Sequence, residues 1–150
     1  MKDHCMSIEV LLVEDSPGDA RLTLEALREV NKDIHLHVAC DGVEAMALLR
    51  HEGEHLHTPR PDLILLDLNL PKMDGREVLA RIKEDATLKA IPTIILTSSE
   101  AEADIVKSYQ LHASCYLSKP VRLADFESLV RSINDFWLTR VRFPQRSASA

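Results

Sequence analysis

The sequence predicts an α/β protein in which strands and helices alternate five times, and three observations carry that reading. Short apolar runs, VLLV, LILL and TIIL, are continuous rather than alternating, as strands buried on both faces must be. Between them lie segments of helical period, most opening on a Ser or Asp with an acid three residues later. Turn residues such as SPGD and KMDG separate the two kinds of segment. Alternation of this kind implies right-handed crossovers and a parallel sheet covered by helices on both faces.

The first strand is IEVLLVED, bounded by SPGD. Ser16 is a suitable N-cap, Pro17 fits the first helical turn, Asp19 completes a capping pattern, and Ala20, Leu24 and Leu27 recur at helical spacing. IHLHVAC alternates as a strand does, and DGVEAMALLRHEG follows as a helix with Asp41 and Glu44 as a capping box and Gly53 as a stop. PDLILLD is the third strand. The next helix, DGREVLARIKED, is capped by Asp74 and Glu77 and carries Val78, Leu79 and Ile82 on one face. IPTIILTSS leads into EAEADIVKSYQLHA, with Ser99 and Glu102 as the cap. SCYLSKP is a short fifth strand, and VRLADFESLVRSINDFWLTRV the last helix, striped by Phe126, Leu129, Val130, Ile133 and Trp137. Residues 8–143 are expected to form one domain, between a flexible N-terminus, 1–7, and a flexible tail, 144–150.

Composition narrows the function classes. A length of 150 residues with 45% hydrophobic and 28% charged residues suits a single globular domain with a real core. A net charge of −6 counts against nucleic acid, whose binders need a basic face. No apolar run approaches the roughly 20 residues that span a bilayer, and MKDHCMS lacks the apolar core of a signal peptide, so the cytoplasm is expected. The three cysteines share no pairing or metal spacing, and the strand-like surroundings of Cys40 and Cys115 predict buried free thiols. HEGEHLH puts His51, His55 and His57 close together, but Gly53 interrupts any helical zinc spacing and the segment reads as a solvated loop. His35 and His37 share one strand face and are expected to be solvent-facing or rim residues.

The ends of the strands carry the chemistry. The first ends on Glu14 and Asp15, the third on Asp67, the fourth on Thr97 and Ser98, and the fifth on Lys119. Open parallel sheets bind ligands beyond the carboxyl ends of their strands, so neighbouring strands would bring these groups into one crevice. Carboxylates that close repel one another, and a divalent cation relieves the conflict. Mg²⁺ suits an all-oxygen ligand set. A metal and an ammonium beside a carboxylate make a site for a phosphoryl group, with Asp67 as the nucleophile that forms an acyl phosphate.

These pieces, VED, LLDLNLPKMDG, ILTSS and YLSKP in that order, give a chain that resembles the receiver domain of bacterial two-component response regulators from about Ile8 to Val141. The resemblance implies a flavodoxin-like (βα)5 sandwich with a five-stranded sheet in the order 2-1-3-4-5. It implies that Asp67 accepts phosphate from a histidine kinase or phosphotransfer partner. Asp15 would bind Mg²⁺ directly and Glu14 through water, with Asp67 and the backbone carbonyl of Asn69 completing the protein ligands. Lys119 would bridge to the phosphoryl group, and Pro120 after it would be cis. Thr97 would be the switch hydroxyl, assisted by the Ser98 backbone N–H, and Tyr116 the aromatic partner that turns inward. Asn69 and Ser99 stand where the family tunes dephosphorylation. Glu14 departs from the paired aspartates of many receivers.

No DNA-binding or enzymatic module follows in the sequence, so the chain is expected to be a stand-alone receiver, a signalling protein rather than an enzyme. The ending DFWL with SPGDARL and CDGVEAMALL is similar to the small regulators of bacterial and cyanobacterial phytochrome kinases, which respond to red or far-red light and are commonly dimers. Phe136, Trp137, Val141 and Phe143 would then either cover the sheet edge or supply a homodimer interface. Other classes fit less well. A flavodoxin needs a phosphate loop where VEDSPGD offers acids, and a dehydrogenase needs GxGxxG. A haloacid-dehalogenase-like phosphatase has its nucleophile in DxD after the first strand, where this chain has EDS. A phosphorylation-independent pseudo-receiver, acting as a protein-binding module, is the remaining alternative.

Overall fold

The structure, a computed structural model, describes residues 7–144. Strands and helices alternate as β1 (Ile8–Val13), α1 (Pro17–Val30), β2 (Ile34–Ala39), α2 (Gly42–Leu49), β3 (Leu63–Leu66), α3 (Gly75–Glu84), β4 (Thr93–Thr97), α4 (Glu102–Gln110), β5 (Cys115–Ser118) and α5 (Leu123–Trp137). All strand pairs are parallel, and the sheet order is β2-β1-β3-β4-β5. The chain runs outward from β1 to β2 and then returns to the other side of β1. That reversal opens a crevice between β1 and β3 at their carboxyl ends.

The apolar runs are buried on both faces because each face meets helices. Leu11, Val13, Ile64, Leu66 and Ile95 pack with Ala45, Met46, Val78, Leu79 and Ile82 of α2 and α3. Their neighbours in sequence, Val10, Leu12, Leu63, Leu65 and Ile94, pack with Ala26 and Leu27 of α1 and Phe126, Val130 and Ile133 of α5. Each such side chain fully withdrawn from water contributes about 1.5–3 kcal/mol relative to exposure. The central strands are therefore fixed, and Val13↔Leu66 pairing sets their ends level.

Helix ends follow the predicted chemistry with local shifts. Ser16 accepts from the Asp19 N–H as the cap of α1, with Pro17 in the first turn. Asp41 caps α2 through the Glu44 N–H, but Glu44 returns its bond to the N–H of Cys40 rather than of Asp41. Asp74 caps α3 through Arg76, while Glu77 pairs forward with Arg81. The expected cap of α4 is absent: Ala101 stands at that position, and the Ser99 hydroxyl instead donates to Asp104. α5 stops at Trp137, where the following turns fold Leu138 and Phe143 back onto the core.

Four expectations need correction or placement. The Lys119–Pro120 bond is not cis; the described residues contain no cis peptide. The trans form is the lower-energy isomer by about 0.5–1 kcal/mol, and it already allows the Lys119 N–H to continue the ladder to the Thr97 carbonyl at 2.7 Å. Cys40 is exposed and Cys115 only half-buried, because β2 and β5 are edge strands that their helices cover incompletely. His51 lies beyond the end of α2 with φ 58°, so no helical spacing joins it to His55. The proposed flexible termini, 1–7 and 144–150, lie outside the described residues except for Ser7 and Pro144.

His35 and His37 are not simply solvent-facing. His37 Nε2 lies 2.7 Å and His35 Nδ1 3.1 Å from the carboxylate of Glu9, which is only 4% exposed near the start of β1. Burial works to raise the Glu9 pKa, but the bonds from His37, Ser7 and His35 outweigh it and hold the acid below its ordinary 4.5. A depressed carboxyl adds stability above the unfolded-state pKa and loses it as pH falls through the folded value. Replacing Glu9 with Gln is therefore expected to lower stability by about 1.5 kcal/mol at neutral pH. The difference should shrink below pH 4.5. Melting temperatures of both proteins from pH 7 to 3 check this, and a constant difference over the whole range contradicts it.

Candidate functional site

Register delivers the acids together. The Asp67 N–H bonds the Val13 carbonyl at 3.1 Å and the Glu14 N–H bonds the Ala39 carbonyl at 2.9 Å, so both carboxylates leave the sheet at the same level. Glu14, Asp15 and Asp67 each offer a carboxylate oxygen within 4.8 Å of the others, and no other such group occurs among the described residues. Glu14 and Asp67 are 4% and 6% exposed, whereas Asp15 opens to solvent. Glu14 also accepts from the Ser16 N–H at the head of α1.

Lys119 reaches across from β5 and occupies the centre. Its Nζ donates to Glu14 at 2.5 Å and to Asp19 and Asp67 at 3.1 Å each, so all three ammonium protons have acceptors. Asp19 thus has a side-chain role that the sequence did not signal beyond its place in the α1 cap. Burial works against the ammonium, but the bond and charge of Glu14 and the charge of Asp67 outweigh it and hold the lysine pKa above its usual range. Burial pushes the Glu14 carboxyl up, and Lys119 offsets part of that. Lys119 is a fixed cation here. Glu14, Asp15, Asp19 and Asp67 set four carboxylates around the one ammonium of Lys119.

Asp67 is held at both oxygens. Oδ1 accepts from the Thr97 hydroxyl at 2.7 Å and the Asn69 N–H at 3.2 Å, and Oδ2 accepts from Lys119. Thr97 is fully buried at the end of β4, and Ser98 after it is exposed. Tyr116 is half-buried on β5, and its hydroxyl donates to the Ser99 carbonyl at 2.9 Å. Beside Lys119 opens a groove of about 260 Å³ lined by Asp19, Leu22, Pro120, Val121, Leu123 and Phe126.

The backbone around Asp67 is packed without slack. A Cβ on Gly75 would lie 2.3 Å from the Asp67 carbonyl oxygen, and one on Gly42 would lie 2.1 Å from that of Met73. Only glycine lets α3 start against Asp67 and α2 start against the β3–α3 loop.

The expected interface residues are divided. Trp137 and Phe143 pack partly on the chain's own core, and Phe136, 55% exposed, meets the edge of Trp137 at a centroid distance of 5.7 Å. Phe136 is the one of the four that is mainly exposed; Trp137, Val141 and Phe143 are half-buried.

Against known proteins, the response regulator receiver domain family matches residues 10–131. This chain is a response regulator receiver. It is 51% identical over 135 residues to the response regulator Rcp1 of Synechocystis sp., covering 90% of this chain and 92% of the relative. Among solved structures, the receiver superimposes on the Mn²⁺-bound form of Rcp1 with a TM-score of 0.89 at 50% identity, covering 92% of this chain and 99% of that one. It superimposes on the phosphorylated cyanobacterial phytochrome response regulator RcpA with a TM-score of 0.90 at 48% identity, covering 93% and 100%. The receiver fold and the sheet order match those expected from the sequence, and no described helix is long and apolar enough to cross a membrane.

Proposed function

We propose that this receiver is a phosphoacceptor of a two-component relay, with Asp67 as the residue that takes the phosphoryl group. The observation that carries the reading is that Thr97 and Lys119 each bond one oxygen of Asp67 while Glu14 and Asp15 bring carboxylate oxygens within 4.8 Å of it. An Asp67 oxygen attacks phosphorus, a P–O bond forms, and the P–N bond of a kinase phosphohistidine breaks with its electron pair returning to the imidazole. Thr97 and Lys119 lie against the carboxylate and can pass their hydrogen bonds to the incoming phosphoryl oxygens. We assign the backbone N–H of exposed Ser98 to the same phosphoryl group.

The donor set fits Mg²⁺. It is all oxygen, with Asp15 exposed enough for an ion to keep its waters, and we assign Glu14, Asp15, Asp67 and the Asn69 carbonyl as ligands. When bound, Mg²⁺ supplies charge neutralisation of the phosphoryl oxygens. The Mn²⁺-bound relative supports a divalent site of this kind. The relatives described as phytochrome response regulators support a phytochrome histidine kinase as the partner, with light as the signal. Phosphorylation would then shift Thr97 and Tyr116 and alter the surface that a downstream protein reads.

The test is intact mass after incubation with acetyl phosphate, with and without Mg²⁺. A gain of one phosphoryl group that requires the metal is expected. No gain under either condition would replace this reading with that of a pseudo-receiver.

A second copy of the chain is the partner we assign to the exposed end of α5. Phe136 is the anchor, and replacing it with Ala is expected to weaken self-association about tenfold or more, as loss of an interfacial aromatic does. Sedimentation equilibrium reads this directly. An unchanged mass distribution removes Phe136 from any interface.

A further inference from the structure

Arg76, in the first turn of α3, connects the two loops that border the phosphoacceptor. Its Nε and Nη2 lie 2.9 and 2.8 Å from Asp104 Oδ1 in the first turn of α4. Its Nη1 donates to Asp74 at 2.9 Å and reaches the Leu68 carbonyl, next to Asp67, at 3.4 Å. The other oxygen of Asp104 accepts from the Ser99 hydroxyl at 2.6 Å. Ser99 in turn accepts the Tyr116 hydroxyl on its carbonyl and points its N–H at the Thr97 hydroxyl oxygen, 3.5 Å away. Thr97 donates to Asp67. The path closes on itself: Asp67, Thr97, Ser99, Asp104, Arg76 and back to the residue after Asp67.

An isolated surface ion pair contributes little, about 0–1 kcal/mol. This one differs in geometry. Asp104 is a two-sided acceptor, and its carboxyl is held below the usual range by Ser99 first and Arg76 second. Both side chains are largely enclosed, at 29% and 20% exposure.

We propose that Arg76 and Asp104 form a clasp that fixes the β4–α4 loop to the phosphoacceptor loop. As positioning residues, they set Thr97 for phosphoryl transfer and carry the consequence of phosphorylation to α4. The inference rests on phosphorylation of Asp67. Once that carboxylate becomes an acyl phosphate, the Thr97 hydroxyl finds its acceptor on a phosphoryl oxygen, farther out along the same line. Ser99 follows Thr97 through its N–H and draws on Tyr116 through its carbonyl. Asp104 follows Ser99, and α4 begins two residues before Asp104. Without the clasp, Thr97 can still re-aim, but the side-chain link from Ser99 to Asp104 no longer carries that movement to the helix, leaving only the weaker Ala101 N–H bond to the Ser99 hydroxyl.

The experiment compares wild type, Arg76→Gln, Asp104→Asn and the double variant. Labelling by acetyl phosphate is followed at saturating Mg²⁺. Each single change is expected to slow labelling about three- to tenfold through misplacement of Thr97, and the double variant to be no slower than the slower single. Mg²⁺ affinity should stay within about twofold, because neither residue is in the metal ligand set. With 3-fluorotyrosine incorporated and Tyr109→Phe used for assignment, the Tyr116 resonance should move on phosphorylation in wild type and by less than half as much in the variants. Unchanged rates with a full Tyr116 response overturn the clasp alone, as do effects that multiply in the double variant. A wild type that takes no phosphoryl group overturns the proposed function and the clasp with it.

Discussion

Replacing Asp67 with Asn is expected to abolish phosphorylation and leave the protein folded. The amide has no nucleophilic carboxylate oxygen, so the metal-dependent mass gain disappears altogether rather than slowing. Folding should survive for a specific reason. Lys119 keeps Glu14 and Asp19 as acceptors, and Thr97 can donate to the new amide oxygen as it did to the carboxylate. One of three mutually repelling acids also goes, which offsets the lost ion pair. Stability should therefore stay within about 1 kcal/mol of wild type, read by denaturant titration. Mg²⁺ affinity should fall, since a ligand is removed. Continued labelling of this variant would move the nucleophile elsewhere, with exposed Asp15 the first alternative to map by proteolysis.

The second large effect is structural. Gly75→Ala puts a methyl group 2.3 Å from the Asp67 carbonyl oxygen and 2.6 Å from the Leu68 Cα, both backbone atoms that cannot rotate away. Overpacking of this kind costs about 3 kcal/mol. For a chain of this length that corresponds to a fall of about 6–12 °C in melting temperature. The strain lands on the peptide of Asp67, so on the proposed function labelling should slow about a hundredfold even where the variant is folded. Thermal unfolding and acetyl phosphate labelling at low temperature separate the two effects. A variant that melts like wild type and labels at the wild-type rate would show that α3 can slide off Asp67 at no cost.

The fold was legible because its signals were redundant. VLLV, LILL and TIIL are buried on both faces, and Ser16, Asp41 and Asp74 cap helices as their spacing indicated. Pairs whose partners lie far along the chain were not legible. Glu9 meets His35 and His37 only because β1 and β2 pair in register, and a glutamate inside an apolar run gives no indication of what crosses from the next strand. The α4 cap failed for a related reason. Ser99 has the right chemistry, but Asp104 and Arg76 compete for it from α4 and α3, and local spacing cannot register that competition. At the site itself, Glu14, Asp67, Thr97 and Lys119 were identifiable as strand-end residues, whereas Asp19 was hidden by its second duty in a helix cap. The aromatic ending was ambiguous in the sequence, and Trp137 and Phe143 are partly buried against the chain's own core.

The two walls of the crevice differ in stiffness. On the β3 side, Gly42 and Gly75 bring backbone against backbone, and helices α2 and α3 both abut the loop that holds Asp67. On the β4 side, Ser98 and Glu100 are exposed and the loop is secured by side-chain hydrogen bonds. A load applied between these walls deforms the softer one. A phosphoryl group, being larger than the oxygen it joins, is such a load. On the proposed function, the displacement would be steered towards α4 and β5 while Asp67 stays anchored, and the fold would act as a rectifier for the direction in which the signal leaves.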